Sequence, residues 1–128
     1  MPRFHFALRQ YMLLLPIVAA FVSSVDASAA ELTFDLRIEQ GQVPRNMRLV
    51  RVKQSDVVKL RWSTDRPLTL HLHGYDIALT VERGVIAEMT FTARATGRFP
   101  VHVHDVGGRA GSHSHQEAPL VLVEVYPR

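Results

Sequence analysis

The sequence predicts an all-β domain, a Greek-key β-sandwich or barrel of about seven or eight short strands. Apolar and polar residues alternate with a period of two from residue 31 to the end of the chain. Glycine, proline and aspartate interrupt this alternation at regular intervals, as turns between strands do. No stretch of ten residues in this region keeps a helical period of apolar residues. These observations favour strands that pair antiparallel to one another.

The first half of the domain contains four predicted strands. They cover residues 32–39, 49–53, 58–62 and 68–73, with turns at Gln54-Ser55-Asp56 and Asp65-Arg66-Pro67. The apolar sides of the first, third and fourth strands are Leu32, Phe34, Leu36 and Ile38; Val58, Leu60 and Trp62; and Leu68, Leu70 and Leu72. Because alternate side chains of a strand point to one side, each of these sets is predicted to face the core.

The second half contains four further predicted strands. They begin with residues 77–81 and end with a strand through Val121, Val123 and Val125. The residues predicted to face the core in the two strands between them are Val85, Ala87, Met89, Phe91 and Ala93, then Phe99, Val101 and Val103. A loop rich in glycine and serine is expected over residues 105–118.

The first thirty residues have the three parts of a secretory signal peptide. Arg3 and Arg9 form a basic leader, residues 11–22 are apolar, and residues 26–30 are mostly small. A retained membrane anchor is the rival interpretation, but the apolar run is shorter than the roughly 20 residues that a spanning helix needs, and Pro16 interrupts it. We therefore expect a signal peptide over residues 1–30, one domain over residues 31–128, and a periplasmic or secreted protein.

Charge and cysteine usage narrow the possible functions. The net charge of +3 falls to about +2 without residues 1–30, and the basic residues of the strands alternate along an expected solvated face, so nucleic-acid binding is not predicted. Docking of an acidic partner on that face is the alternative. The chain has no cysteine. It therefore has neither disulfides nor a thiolate that could bind metal or attack a substrate.

Six of the seven histidines lie after residue 30 and form three His-x-His pairs. The pairs are His71/His73, His102/His104 and His113/His115. The first two lie in strands, on the side opposite to the apolar residues, so core packing does not explain them. Coincidental surface histidines are the alternative interpretation. Neutral imidazole suits copper, zinc, nickel and iron, and the six residues are predicted to bind a metal ion, either copper or zinc.

The residues around these pairs resemble the cupredoxin family. The segments 70–76 (LHLHGYD) and 97–104 (GRFPVHVH) are similar to cupredoxin sequences, and HLHG and HVH are also similar to two copper motifs of multicopper oxidases. The resemblance implies a cupredoxin-like fold, copper as the metal, and a middle strand that neighbours the strand entering the last loop. A fainter resemblance of residues 99–107 is to copper–zinc superoxide dismutases.

Departures from the family limit what the resemblance implies. Val103 stands where the oxidase motif would have its cysteine, and residues 105–119 contain no methionine. Blue-copper electron transfer needs that thiolate, so it is excluded. A trinuclear oxidase centre would need a second domain or subunit. Asp76, Asp105 and Glu117 are either acceptors that orient the imidazoles or solvated loop acids.

Three functions remain open. The first is an exported copper-binding carrier, buffer or delivery module, which would meet a periplasmic or membrane partner protein. The second is a copper-dependent redox enzyme of oxidase or dismutase type, and the third is an accessory domain that binds a protein partner without metal. For the first function, His73 and His104 are expected to matter most, His71 and His102 less, and the loop pair His113/His115 least, because a loop must be ordered before it binds.

Overall fold

Eight strands build the fold in the computed structural model, which describes residues 28–104 and 118–128. The strands are β1 (Glu31–Ile38), β2 (Leu49–Lys53), β3 (Val57–Thr64), β4 (Leu68–Leu72), β5 (Ile77–Val81), β6 (Ala87–Thr92), β7 (Gly97–His104) and β8 (Val121–Tyr126). One turn of 3-10 helix, Arg45–Met47, precedes β2. The described residues contain no helix of the length and apolar character that crossing a membrane requires.

The strands form two sheets, one of three strands in the order β1-β3-β6 and one of five in the order β2-β8-β7-β4-β5. The predicted all-β Greek-key sandwich is thus confirmed. The pairing is not purely antiparallel, however, since β1–β3 and β2–β8 are parallel pairs. The reason is that the chain changes sheet after β1 and again after β2. Apolar alternation specifies which side of a strand is buried, but not the direction of its neighbour.

The core lies between the two sheets. Its largest fully buried side chains are Trp62, Ile38, Leu60, Leu68, Leu70, Leu72 and Met89. The predicted inner sides of β3 and β4 are therefore confirmed. In β1 burial is complete only towards the end, because β1 is an edge strand and Leu32 and Phe34 are only partly covered.

The start of β6 differs from the prediction. Val85 was expected in the core, but it is 57% exposed and β6 begins only at Ala87. The backbone N–H of Val85 donates to the carbonyl of Glu82, so Val85 still belongs to the turn after β5. The pairing with β3 starts where Ala87 meets Trp62.

Candidate metal centre

Strands β4 and β7 are neighbours in the five-stranded sheet, and their register brings the two strand pairs of histidines together. His71 lies directly opposite His102, and His104 lies two residues further along β7. His73 follows the last residue of β4. Its backbone N–H donates a 3.0 Å hydrogen bond to the carbonyl of Pro100 in β7.

All four histidines lie on the outer side of this sheet. The leucines of β4 alternate with His71 and His73 and are fully buried, so the imidazoles take the opposite side. His71, His73 and His102 are partly exposed, and His104 is exposed. The prediction that these pairs lie opposite the core is thus confirmed.

Three of the four imidazoles converge. The ring centroid of His71 is 4.3 Å from that of His73 and 5.9 Å from that of His104. One ring nitrogen from each of the three lies within 4.8 Å of the others. A metal–imidazole bond is about 2.0–2.1 Å long, so two nitrogens on one ion are at most about 4.2 Å apart. Small side-chain rotations would therefore place all three nitrogens on one ion, and the donor set fits copper or zinc.

His102 belongs to the cluster but not to the converging group. Its ring meets the ring of His73 edge-on, with centroids 4.9 Å apart. It also lines a cavity of about 280 Å³, together with Arg48, Val103 and Leu120. The cross-strand position of His102 therefore supports the ring of His73 from the side, while the nitrogens of His71, His73 and His104 face one another.

Asp76 contacts the cluster through His71. One carboxylate oxygen lies 3.2 Å from Nε2 of His71, and the side chain of Asp76 is 98% exposed. An ionised carboxylate only accepts hydrogen bonds, so Nε2 carries the proton and Nδ1 of His71 keeps its lone pair for a metal ion. This is the arrangement by which acidic residues commonly orient metal-binding histidines. Of the two interpretations of Asp76, the structure favours the orienting acceptor.

The surroundings of His73 favour its neutral form. Burial lowers the pKa of His73 below the ordinary value of 6.5, and the imidazoles of His71, His102 and His104 lower it further, against an opposing effect of Asp76. Neutral imidazole is the form that binds metal ions. His73 therefore keeps an available nitrogen lone pair at more acidic pH than an isolated histidine does.

The turn after β4 is shaped by an aromatic cluster. Gly74 has a φ of +87°, and a Cβ atom at this position would collide with the ring of Phe99. The ring of Tyr75 packs on Phe99 and Phe91, each with centroids 4.8 Å apart. Glycine is therefore required directly after His73, both for the backbone conformation and for the close approach of Phe99.

Pro100 sets the point at which β4 leaves the sheet. Its carbonyl accepts the hydrogen bond from His73, but proline has no N–H with which to complete the reciprocal bond. The ladder between β4 and β7 therefore ends at this pair, directly before the turn at Gly74. The interruption is confined to the β4 side, because β7 continues to pair with β8 through Pro100 and Leu122.

The remaining candidates lie outside the described residues. These are His113, His115, Asp105 and Glu117. Their predicted participation stays a prediction. Within the described part of the chain, the candidate metal centre consists of His71, His73 and His104, with His102 and Asp76 in contact with them.

Comparisons with known proteins bear on the fold. Neither a protein-family model nor a curated protein sequence matches the chain. Solved structures do match. A multicopper oxidase from Pseudomonas thermotolerans is similar over 79% of this chain and 31% of its own, with a TM-score of 0.57 and 22% identity. A copper binding protein in the apo form is similar over 78% of this chain and 92% of its own, with a TM-score of 0.55 and 10% identity.

The periplasmic domain of cytochrome oxidase subunit II from Bradyrhizobium japonicum is also similar, over 75% of this chain and 84% of its own, with a TM-score of 0.55 and 15% identity. The chain spans only 64% and 40% of a heme-copper terminal oxidase and another multicopper oxidase that it matches. Identities this low establish the architecture alone. The protein has the fold of a cupredoxin-like domain, in a chain without cysteine.

Proposed function

We propose that this protein is an exported copper-binding module that carries, buffers or delivers the ion through its strand histidines. The observation that carries the proposal is the convergence of His71, His73 and His104 on an exposed sheet surface. These three imidazoles do not belong to the core, and their nitrogens lie close to one another. They are therefore suited to act as metal ligands. Copper is the proposed ion, because divalent copper binds nitrogen donors more tightly than the other first-row divalent metals do.

The openness of the site favours a carrier over an enzyme. Asp76, the carboxylate in contact with the cluster, is almost fully exposed, and His104 is exposed as well. Metal-dependent catalysis benefits from a site that excludes water and positions a substrate beside the ion. An ion on an open sheet surface is instead accessible to a partner protein, so we propose that a periplasmic or membrane protein receives it or supplies it.

Export is part of the same proposal. Residues 1–30 are proposed to contain a signal peptide that is cleaved after Ala29 or Ala30, on the basis of the basic leader, the short apolar run and the small residues that follow. A periplasmic or secreted location suits the ligand set, since a site of imidazoles without thiolate keeps its composition in an oxidising compartment.

Metal analysis is the first test of the function. The protein purified from its native host should carry copper, and the metal-free protein should take up one Cu(II) ion in competition with a chelator of known affinity. Zinc in place of copper would change the identity of the ion but not the site. If the purified protein contained no metal and could not take Cu(II) from the chelator, the metal-free accessory domain would be favoured instead.

The absorption spectrum tests the kind of site. With no cysteine, the copper-loaded protein should lack the intense visible band of a thiolate–copper bond and show only weak d–d absorption. Oxidase and dismutase assays on the same sample, with a chelator present to remove free Cu(II), should give no more turnover than the metal-free protein. Turnover well above that control would favour the redox enzyme.

A further inference from the structure

A buried carboxylate outside the histidine cluster contacts residues near both ends of the domain. Asp56, in the turn before β3, is only 3% exposed. Its Oδ2 accepts a 2.9 Å hydrogen bond from the backbone N–H of Lys53, and its Oδ1 accepts a 3.0 Å hydrogen bond from the backbone N–H of Ala30. The guanidinium of Arg128 also donates to Oδ1. The hydrogen bond from Ala30 is the largest of the influences that lower the pKa of Asp56, and burial opposes them.

Small residues allow signal cleavage after either Ala29 or Ala30, but the two cuts would remove different hydrogen bonds from the fold. A cut after Ala30 would remove the N–H that Asp56 accepts and the carbonyl that accepts a 2.9 Å hydrogen bond from Val57. A cut after Ala29 keeps both of these bonds. It removes the carbonyl of Ser28 from the contacts of Arg128, whose guanidinium still reaches Asp56 and the carbonyl of Gln54.

A cut after Ala29 would also change the chemistry of the bond to Asp56. The peptide N–H of Ala30 would become an α-ammonium group at the same position, 3.0 Å from the carboxylate oxygen. The present bond already has a charged acceptor, and an ammonium donor would add the attraction between opposite charges to it. A buried carboxylate gains further from a second cation beside Arg128.

We propose that processing occurs between Ala29 and Ala30, and that the new α-ammonium group of Ala30 forms an ion pair with Asp56. The mature chain then has its first residue held against the carboxylate that also binds its last described residue, Arg128. This inference rests on the export proposed above, but not on metal binding.

The first test is the intact mass and N-terminal sequence of the protein exported from the full-length precursor. A chain that begins at Ala30 is expected. A chain that begins at Glu31 would overturn this inference but leave export standing, and full-length protein in the exported fraction would overturn both. Copper binding measured on the same sample is independent of these outcomes.

The second test is the reactivity of the terminal amine. Only unprotonated amines react with acylating reagents, so an ion pair should raise the pKa of the Ala30 amine above the ordinary range of about 7.7–8.0 and slow its labelling near pH 7. The labelling profile of the wild-type protein between pH 6 and pH 10 gives this pKa without any variant. The side-chain amines of Lys53 and Lys59 are labelled in the same experiment and serve as internal references for the labelling rate.

The Asp56→Asn variant should label at Ala30 severalfold faster than the wild type at pH 7. Asp35→Asn is the matched control, because it removes an exposed carboxylate that pairs with Arg61 instead of with the terminus. An ordinary amine pKa in the wild type, or equal labelling rates in wild type and Asp56→Asn, would overturn the ion pair.

Discussion

The four histidines at positions 71, 73, 102 and 104 differ in whether a ring nitrogen is placed to bind a shared metal ion. His71, His73 and His104 direct nitrogens at a common point, whereas His102 stacks edge-on against His73. The contact with the carboxylate of Asp76 favours the tautomer of His71 that leaves Nδ1 available. The geometry groups His71 with His73 and His104, the two residues expected to matter most, and places His102 beside this group.

Alanine variants test this division. We expect His71→Ala, His73→Ala and His104→Ala each to weaken Cu(II) binding by more than about 100-fold, because losing a ligand costs more than losing an orienting partner. His102→Ala, the matched control within the same cluster, should weaken binding by only about tenfold, the lower end of the cost of removing an orienting partner. Calorimetric titration in a competing chelator measures both. Equal losses in all four variants would indicate that His102 is also a ligand.

The convergence of these residues was only partly predictable. Period-two alternation was sufficient to place His71 and His73 on one side of β4, and His102 and His104 on one side of β7. The prediction that β4 and β7 lie next to each other came from the family resemblance instead. Nothing local in the sequence states that His71 lies opposite His102, because strand register depends on pairing between distant segments.

Among the elements, the turn after β4 matters most for the site. It combines a positive φ at Gly74 with the ring of Phe99 pressed against the glycine, and the backbone of His73 enters this turn directly. The glycine in HLHG is therefore a structural requirement of the turn that follows His73. The local sequence does not reveal this role, since the approach of Phe99 arises only once β7 is folded beside the turn.

Gly74→Ala should lower both stability and copper affinity. The change adds a left-handed alanine and a steric clash with Phe99, which together cost on the order of 2–4 kcal/mol of unfolding free energy. Gly84→Ala is the matched control, because Gly84 has a similar φ of +74° but open space around the added atom. It should cost only about 1–2 kcal/mol and leave copper affinity unchanged. Equal losses in urea denaturation would mean that the Phe99 contact is unimportant.

A second element-scale feature crosses three strands of the same sheet. Glu124 of β8 lies between Arg51 of β2 and Arg98 of β7, with N–O distances of 3.2 and 2.9 Å, and the hydroxyl of Tyr126 donates to it. The hydrogen bond from Tyr126, followed by the effects of Arg51 and Arg98, lowers the pKa of Glu124 below its ordinary value of 4.5, against the effect of burial.

The contribution of Glu124 to stability should depend on pH. Because its pKa is lower in the folded state, the ionised form stabilises the fold fully above about pH 4.5, and this stabilisation is lost as the pH falls below that value. Glu124→Gln should therefore be less stable than wild type at pH 7, with a gap that narrows below pH 4.5. Fluorescence of Trp62, the single tryptophan, reports urea unfolding.

Glu88→Gln is the control for this measurement, since Glu88 is half-exposed and lies 3.6 Å from Arg61. It should show no appreciable gap from wild type at any pH. A gap for Glu124→Gln that stays constant down to pH 3 would contradict the assigned role of its charge.

At the scale of the whole molecule, alternation and turn residues were enough to predict the class and the number of strands. They could not reveal the two parallel pairs, because those depend on where the chain changes sheet. The error at Val85 has a local cause. An apolar residue next to a turn continues the period of the strand, yet its backbone is still engaged by the turn.

The separation of core and metal centre leads to a prediction for the complete fold. Replacing His71, His73, His102 and His104 together by alanine should change the unfolding free energy by no more than about 2 kcal/mol, since surface substitutions cost up to about 0.5 kcal/mol each. Free Cu(II) at 100 times its dissociation constant should stabilise the wild type by about 2.7 kcal/mol and the quadruple variant not at all. Thermal melts with and without copper measure both, and a variant that no longer folds would contradict the separation.

This placement of the imidazoles on the outer side of a sheet has a consequence for how such a domain can change over time. Residues that fill a core are constrained by their neighbours, so each substitution there requires others. Positions 71, 73, 102 and 104 lie outside the core, so side chains there can be exchanged with less disturbance of the scaffold. Carboxylates at these four positions would shift the preference towards harder ions, and thioethers towards monovalent copper. The same barrel is thus a suitable starting point for selecting new metal specificities from small libraries.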